Sequence, residues 1–315
     1  MEIGVFGKNM DPCAVAIKRA SEKMGVACRV LDLGEMRKKP FKLGDGLFTL
    51  GGEDMSWVFS VPAWYIRQIP LRVPMIRAPA TLEGHNCLVR NEPMWASVEE
   101  SLIKMVSERS LVVNPLETQI LQYQKVYQHY LLSKARLPLP EWGVCMPDEM
   151  ELKEGGEERK STGGWTGGWV VKGHASGRAV EDLSEYVRRR NNGGSMGPPP
   201  LVQRKVAGTP LRVAVVEEEV IGGYAVHTPF TDVREGFVMG QARAERVSID
   251  AETAETAIKA LQTLGLFFSE IDFIKTPRET YILEGNPSPG FAFSETLGIP
   301  VAERLLAHMV ERAKK

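Results

Sequence analysis

Three oxygen-bearing side chains near the C-terminal end carry the strongest chemical signal: Asp272, Glu284 and Asn286, in the segment IDFIKTPRETYILEGNPSPGF from Ile271 to Phe291. Glu284 and Asn286 are two apart, so on an extended chain they project from one face. Pairing Lys275 with Tyr281 across a TPRE turn sets Asp272 opposite Glu284. Two facing carboxylates repel each other, and a cation between them resolves the conflict. Hard oxygen ligands on an open face suit Mg2+, which keeps waters and shares its shell with phosphates. A solvated hairpin with incidental acids has the same spacing, so spacing alone leaves both readings open.

A second feature is VVKGHASGRAV, where a strand ends at Lys172 and Gly173 and Gly177 bracket a short polar loop. Backbone N–H groups of such a loop can cradle phosphate oxygens while the lysine supplies a point charge. The P-loop pattern GxxxxGK(S/T) is absent. His174 lies inside the loop, where it could donate to a phosphate oxygen. Lys125, in QYQKVYQHY, reads on its own as a solvated helix lysine.

These residues need elements to position them. Glu2 to Phe6 is a β-rich run, and Asp11 and Pro12 then supply an N-cap and a first helical position. Gly25 sits where a helix stops, and Ala27 to Leu33 reads as a second strand. This β-helix-β opening predicts a parallel sheet. Its first turn, GKNMDP, lacks the GxGxxG of a dinucleotide site. A helix is expected from Met94 to Val106 and a strand from Leu111 to Val113. After Asn114-Pro115, a long helix is expected through LETQILQYQKVYQHYLLSKA, with Ile120, Tyr123, Tyr127, Tyr130 and Leu131 on one face. Residues 153–168 and 189–200 are rich in Gly with charge or Pro and read as loops. Strands follow at Leu201 to Val206, Arg212 to Val216 and Val220 to Val226. A helix then ends at Gly265, two strands run from Phe267 to Lys275 and from Tyr281 to Glu284, and a last helix starts near Pro300.

Composition narrows the class. At 315 residues, with a net charge of −1, the chain is long enough for two or three domains and has no global field for nucleic acid or anionic membranes. Arg188 to Arg190 read as a solvated helix end, and no basic face with interleaved aromatics supports nucleic-acid binding. The longest apolar stretches, such as Trp57 to Trp64, are too short to span a bilayer, and no signal-peptide pattern opens the chain. Cys13, Cys28, Cys87 and Cys145 are scattered without CxxC spacing, which fits reduced thiols in a cytoplasmic protein.

The order of these features is more informative than any one of them. From about Asn114 to Phe291, the series Lys125, Lys172 with its glycine loop, LVQRKV, Arg212, then Asp272, Glu284 and Asn286 resembles the ATP-grasp superfamily. It is most similar to the RimK-like glutamate-ligase and glutathione-synthetase-like branch, whose terminal signature reads D-x-x, then E-x-N-x-x-P-G. The resemblance implies a mixed α/β (α+β) ATP-grasp fold preceded by a small parallel αβ domain. The expected division is 1–112 for that domain, 113–200 for a central lid subdomain and 201–315 for a C-terminal subdomain with the Mg2+ site. By the same resemblance, Lys125 and Lys172 would contact ATP phosphates, under a loop containing Ser176 and Gly177. Gln203, Arg204, Lys205 and Val206 would form the hinge segment whose backbone meets the adenine edge. Asp272, Glu284 and Asn286 would hold Mg2+, Arg212 would face the transferring phosphoryl group or the acceptor carboxylate, and Arg234 would match a substrate-side arginine. Gly173, Pro210 and Gly236 depart from the family pattern, the last two on the acceptor side.

The implied reaction is formation of an amide or peptide bond, with ATP first phosphorylating a small-molecule or peptide carboxylate and an amine then displacing phosphate. That chemistry is mostly positioning and electrostatics, which agrees with the lack of a GxSxG elbow or a Cys-His arrangement. Phosphate transfer to a hydroxyl, or a catalytically reduced ATP-binding scaffold, are the alternatives. Homo-oligomers are common in such families.

Overall fold

Asp11 starts the first helix by accepting from Cys13 N at 2.9 Å and Ala14 N at 3.3 Å, and Gly25 ends it at φ 65°. The computed structural model describes residues 1–67, 82–144, 168–172, 181–183, 185–187 and 199–315, with backbone alone for 82–92 and 181–182. Its first third comprises β1 (Glu2–Phe6), α1 (Pro12–Met24), β2 (Ala27–Leu31), a small antiparallel sheet of β3 (Phe41–Gly44), β4 (Leu47–Leu50) and β5 (Glu53–Asp54), then β6 (Ala63–Ile66), α2 (Leu82–Ser107) and β7 (Leu111–Val113). The expected parallel sheet is present, in the order β2-β1-β6-β7. The second strand stops at Leu31, because Asp32 caps a 3-10 turn that follows. α2 starts well before Met94 and carries Pro93 inside it.

The long helix expected after Pro115 is broken. α3 (Leu116–Gln119) runs into a 3-10 turn, Ile120–Gln122, and α4 (Lys125–Lys134) starts afresh after Gln124 leaves helical geometry at φ −106°, ψ 53°. Lys125 therefore begins a helix instead of lying mid-helix. The buried face also differs from the apolar stripe. Gln128, His129 and Leu132 are buried, whereas Tyr127 and Tyr130 are half exposed and stack on each other at 6.1 Å. Polar side chains can face inward here because they find hydrogen-bond partners in the neighbouring sheets.

β8 (Trp142–Val144), β9 (Trp169–Lys172), β10 (Glu181–Asp182) and β11 (Leu201–Arg204) form an antiparallel sheet in the order β10-β9-β11-β8. The last third is a five-stranded antiparallel sheet of β12 (Thr209–Val216), β13 (Glu219–His227), β14 (Arg243–Val247), β15 (Phe268–Lys275) and β16 (Thr280–Asn286), ordered β14-β13-β12-β15-β16. With it come α5 (Val233–Val238), α6 (Ala251–Thr263), α7 (Ala292–Thr296) and α8 (Val301–Arg312).

The two faces of this sheet have different fates. Leu211, Val213, Val215, Ile271, Phe273 and Ile282 pack under Ala257, Ala260 and Leu261 of α6. On the other face, Ala214, Val216, Tyr224, Val226 and Phe268 share a core with Ile3, Val5, Ile17 and Tyr65 from the first third and with Leu305, Leu306 and Met309 of α8. Each fully buried aliphatic side chain there is worth ~1.5–3 kcal/mol relative to exposure. Beyond Phe268 the same alternation continues as Glu270 and Asp272. An apolar half of the face thus anchors the N-terminal sheet and leaves a polar half for chemistry.

Candidate active site

The β15–β16 hairpin pairs Lys275 with Thr280, one residue short of the expected register, and a bulge at Leu283 then restores it, so that Asp272 does face Glu284. The bulge also changes which way side chains point. Strict alternation would put Ile282 on the same face as Glu284. Instead Ile282 enters the core with Phe273, while Glu284 and Asn286 face the polar side with Asp272. The Asn286 amide donates to Asp272 Oδ2 at 3.2 Å and to the Glu270 carbonyl at 2.9 Å.

Each carboxylate has a cation. Arg212, directly across from Asp272 on β12, donates from Nε to Oδ1 at 2.5 Å and from Nη2 to Oδ2 at 2.8 Å. Lys125 Nζ lies 2.7 Å from Glu284 Oε2. The repulsion expected between the two acids is therefore already relieved by the protein's own cations, and carboxylate pairing alone does not demand a metal. Among the described residues no cluster of three or more His, Cys, Asp or Glu side chains forms a metal-binding group. The third oxygen donor in the set is the amide of Asn286.

Lys172 ends β9 and is 7% exposed. Burial brings its pKa down to about 8 against the pull of Glu284, with Lys125 adding to the depression. Burial would raise the Glu284 carboxyl, but the charges of Lys125 and Lys172 outweigh it and hold the pKa below the ordinary value. Glu270, 1% exposed, is pushed up by burial; its Oε1 accepts from Ser294 and its Oε2 lies 3.6 Å from Arg212 Nη1. His129 is pushed down to about 4, chiefly by burial and then by Lys172. It is therefore neutral at pH 7. Its Nδ1 lies 2.8 Å from the Lys125 carbonyl, which can only accept, so Nδ1 carries the proton and Nε2 accepts from the Gln203 amide at 3.2 Å.

The remaining expected residues lie less centrally. Gln203 is buried on β11. The N–H groups of Arg204 and Lys205 are taken by the carbonyls of Glu141 and Gly168, so those two donors of the hinge segment are engaged within the protein. Both side chains are exposed, Lys205 reaching Thr231 at 3.1 Å, and Val206 is half-buried. Arg234 lies in the first turn of α5, half exposed and held by Asp232 at 2.8 Å, within the field of Glu284 and Arg212. His174, Ser176 and Gly177 lie outside the described residues.

Sequence reasoning missed two residues that hold the site together. Asn114, read as the residue opening a helix, is fully buried and accepts from Phe267 N and Phe268 N while donating to the carbonyls of Phe268 and Pro287. Gln128 bonds Gly285 in both directions. A polar residue within an otherwise apolar pattern was the only available signal, and it did not name a partner more than 150 residues away.

Comparison with known proteins places this geometry. Residues 202–309 match the RimK-like ATP-grasp domain. A probable alpha-L-glutamate ligase of Pasteurella multocida (strain Pm70) is 33% identical over 106 residues, 33% of this chain and 34% of the relative. The coenzyme gamma-F420-2:alpha-L-glutamate ligase of Methanocaldococcus jannaschii is 30% identical over 104 residues, 33% and 35% of the two chains. The match thus spans about a third of each curated relative. Among solved structures, the ATP-grasp ligase PsnB complexed with minimal precursor aligns over 99% of this chain and 98% of its own, with a TM-score of 0.75 and 18% identity. D-alanine–D-alanine ligase from Bacillus anthracis complexed with ATP aligns over 99% and 97%, with a TM-score of 0.57 and 12% identity. The fold is that of the ATP-grasp ligases, as the sequence implied. No helix among the described residues is long and apolar enough to cross a membrane.

Proposed function

We propose, from the match of residues 202–309 to the RimK-like ATP-grasp domain and from the fold, that the chain is an ATP- and Mg2+-dependent carboxylate–amine ligase acting on an amino acid or a peptide. The observation that carries this reading is the meeting of Lys125, Lys172, Arg212, Asp272, Glu284 and Asn286 at the polar half of one sheet face.

The donor set suits Mg2+. It is all oxygen, contributed by two carboxylates and an amide, and each carboxylate oxygen already holding Arg212 or Lys125 has a second lone pair to share. Bound there, Mg2+ would offset charge on the transferring phosphoryl group. In this reading Lys125 and Lys172 bind ATP phosphate oxygens, under a loop containing His174, Ser176 and Gly177. The segment from Gln203 to Val206 meets the adenine with backbone groups other than the engaged N–H groups of Arg204 and Lys205. Arg212 orients the acceptor carboxylate or the phosphoryl group, and Arg234 sits on the substrate side. The substrate carboxylate oxygen attacks the γ-phosphorus as the bond to ADP breaks. An amine nitrogen then attacks the acyl carbon, phosphate departs, and the amine proton passes to solvent. No side chain forms a covalent bond; positioning and charge do the work. The proposed division is 1–112, 113–200 and 201–315, with β7 at its first boundary and β11, which pairs with β8 and β9, at its second; the proposed setting is cytoplasmic, where ATP is supplied.

The test is phosphate release from ATP with amino acids supplied pairwise and with peptides, followed by mass spectrometry of the products. An amide product that appears only with both substrates and Mg2+ supports the ligase, and Glu284→Gln abolishes turnover. Phosphate found on a hydroxyl, or unchanged turnover in Glu284→Gln, refutes it.

A further inference from the structure

Gly285 stands between Glu284 and Asn286 on β16, the outer strand of its sheet, and faces a closed interior: a Cβ there would lie 2.6 Å from Leu264 Cδ1 and 3.2 Å from Ile271 Cδ1. A side chain at this position would have to displace the buried Leu264 side chain. Glycine also gives its own backbone the least conformational restraint, at the point where two candidate ligands must be held steady.

The restraint comes from α4. Gln128, 1% exposed, donates from Nε2 to the Gly285 carbonyl at 2.8 Å and accepts at Oε1 from the Gly285 N–H at 2.8 Å. Its amide takes the place of a neighbouring strand and fixes the two peptide planes that flank Gly285. Those planes carry the Cα atoms of Glu284 and Asn286. Lys125, three residues earlier on α4, holds the Glu284 carboxylate itself. The next backbone position is tied as well, since Ser269 Oγ accepts from Asn286 N at 2.9 Å and donates to Asn286 O at 3.0 Å.

From this geometry we infer that Gln128 is a positioning residue for the metal–nucleotide site, setting Glu284 and Asn286 against Asp272 through the backbone of Gly285. The inference rests on the assignment of Asp272, Glu284 and Asn286 as Mg2+ ligands. A side chain that only filled space beneath α4 would need no paired donor and acceptor. A residue that orients ligands does, and loss of such outer support typically costs metal affinity or activity about 10- to 100-fold.

The experiment uses the full chain with Mn2+ as the probe metal, following free Mn2+ by electron paramagnetic resonance with and without ADP. Gln128→Met keeps length and loses both bonds; Gln128→Glu keeps the acceptor but turns an oxygen toward the Gly285 carbonyl. Leu306→Ala, in the apolar core under α8, is the control for lost stability. The expected result is a weakening of ADP-dependent Mn2+ binding by about 10- to 100-fold in both Gln128 variants, with kcat falling more than KM for ATP rises, and wild-type Mn2+ affinity in Leu306→Ala. Wild-type affinity in Gln128→Met, while Glu284→Gln has lost binding, overturns the role of Gln128 and leaves the ligand assignment standing. Wild-type affinity in Glu284→Gln overturns both. If the Gln128 variants do not fold, amide exchange in the wild-type protein decides: a protected Gly285 N–H supports the clamp, and exchange at the rate of an open strand edge refutes it.

Discussion

Replacing Lys172 by Met should make the ligand-free protein more stable while abolishing ATP turnover. Lys172 is 7% exposed at the end of β9, and burial brings its pKa from 10.5 to about 8. At ~1.36 kcal/mol per unit, holding this ammonium charged in the folded state costs about 3 kcal/mol at pH 7, after the attraction of Glu284 is included. Methionine has similar length, buries without a charge, and leaves Glu284 with Lys125 as its counter-ion. The sign with pH follows from linkage. Between pH 8 and 10.5 the unfolded chain keeps the proton that the folded protein has shed, so wild-type stability rises through that window. The advantage of Lys172→Met should therefore be about 3 kcal/mol at pH 7 and shrink to about 1 kcal/mol near pH 9.5. Urea unfolding at the two pH values measures it, alongside phosphate release from ATP. A variant less stable than wild type at pH 7, or a gain that does not change with pH, refutes the reasoning. Full activity in the variant would refute the role of Lys172 in catalysis.

Two further outcomes bear on the scaffold. Asn114→Ala orphans two buried backbone N–H groups and two carbonyls that tie β7 to both ends of the β15–β16 hairpin; at ~1–3 kcal/mol for each unsatisfied buried group, softened by relaxation, the loss should exceed about 2 kcal/mol in urea unfolding. His308 on α8 sits between Glu217 at 2.8 Å and Glu219 at 2.7 Å, and although burial lowers its pKa, the two carboxylates outweigh this and raise it. Its contribution is fully present below the unfolded value near 6.5 and fades as pH climbs through the raised folded value, so His308→Gln should lose stability at pH 6 and match wild type at pH 9 in thermal unfolding.

The parts legible in the sequence were local. Asp11, Pro12 and Gly25 bound α1 because capping depends on neighbours within one turn. Asp272, Glu284 and Asn286 could be aligned because a hairpin joins their strands. The correct facing of Asp272 and Glu284 nevertheless arose from a register one residue short and a bulge at Leu283, and the sequence marks that bulge with no glycine or proline. The stretch after Pro115 was misread for a different reason. Apolar periodicity finds a buried face only where the surroundings are apolar, and α4 instead packs Gln128 and His129 onto polar partners in β16 and β11. Those partners come from segments distant in the chain, so no local pattern can name them.

β16 also meets two conflicting demands. As an outer strand it must not offer free backbone groups to another chain, yet its end must stay open on the face that carries Glu284 and Asn286. A further strand along that edge would displace α4, which brings Lys125 and Gln128 to it. The chain uses single groups instead: the Pro138 carbonyl accepts from Ile282 N, Gln128 holds Gly285, Ser269 holds Asn286, and Asn114 binds the Pro287 carbonyl. Each satisfies backbone polarity from the edge or from beneath without intruding on the polar face. Rigidity and access therefore come from the same residues, and for that reason the buried polar side chains of α4 and of the turn after β7 belong to the account of the site as much as to that of the fold.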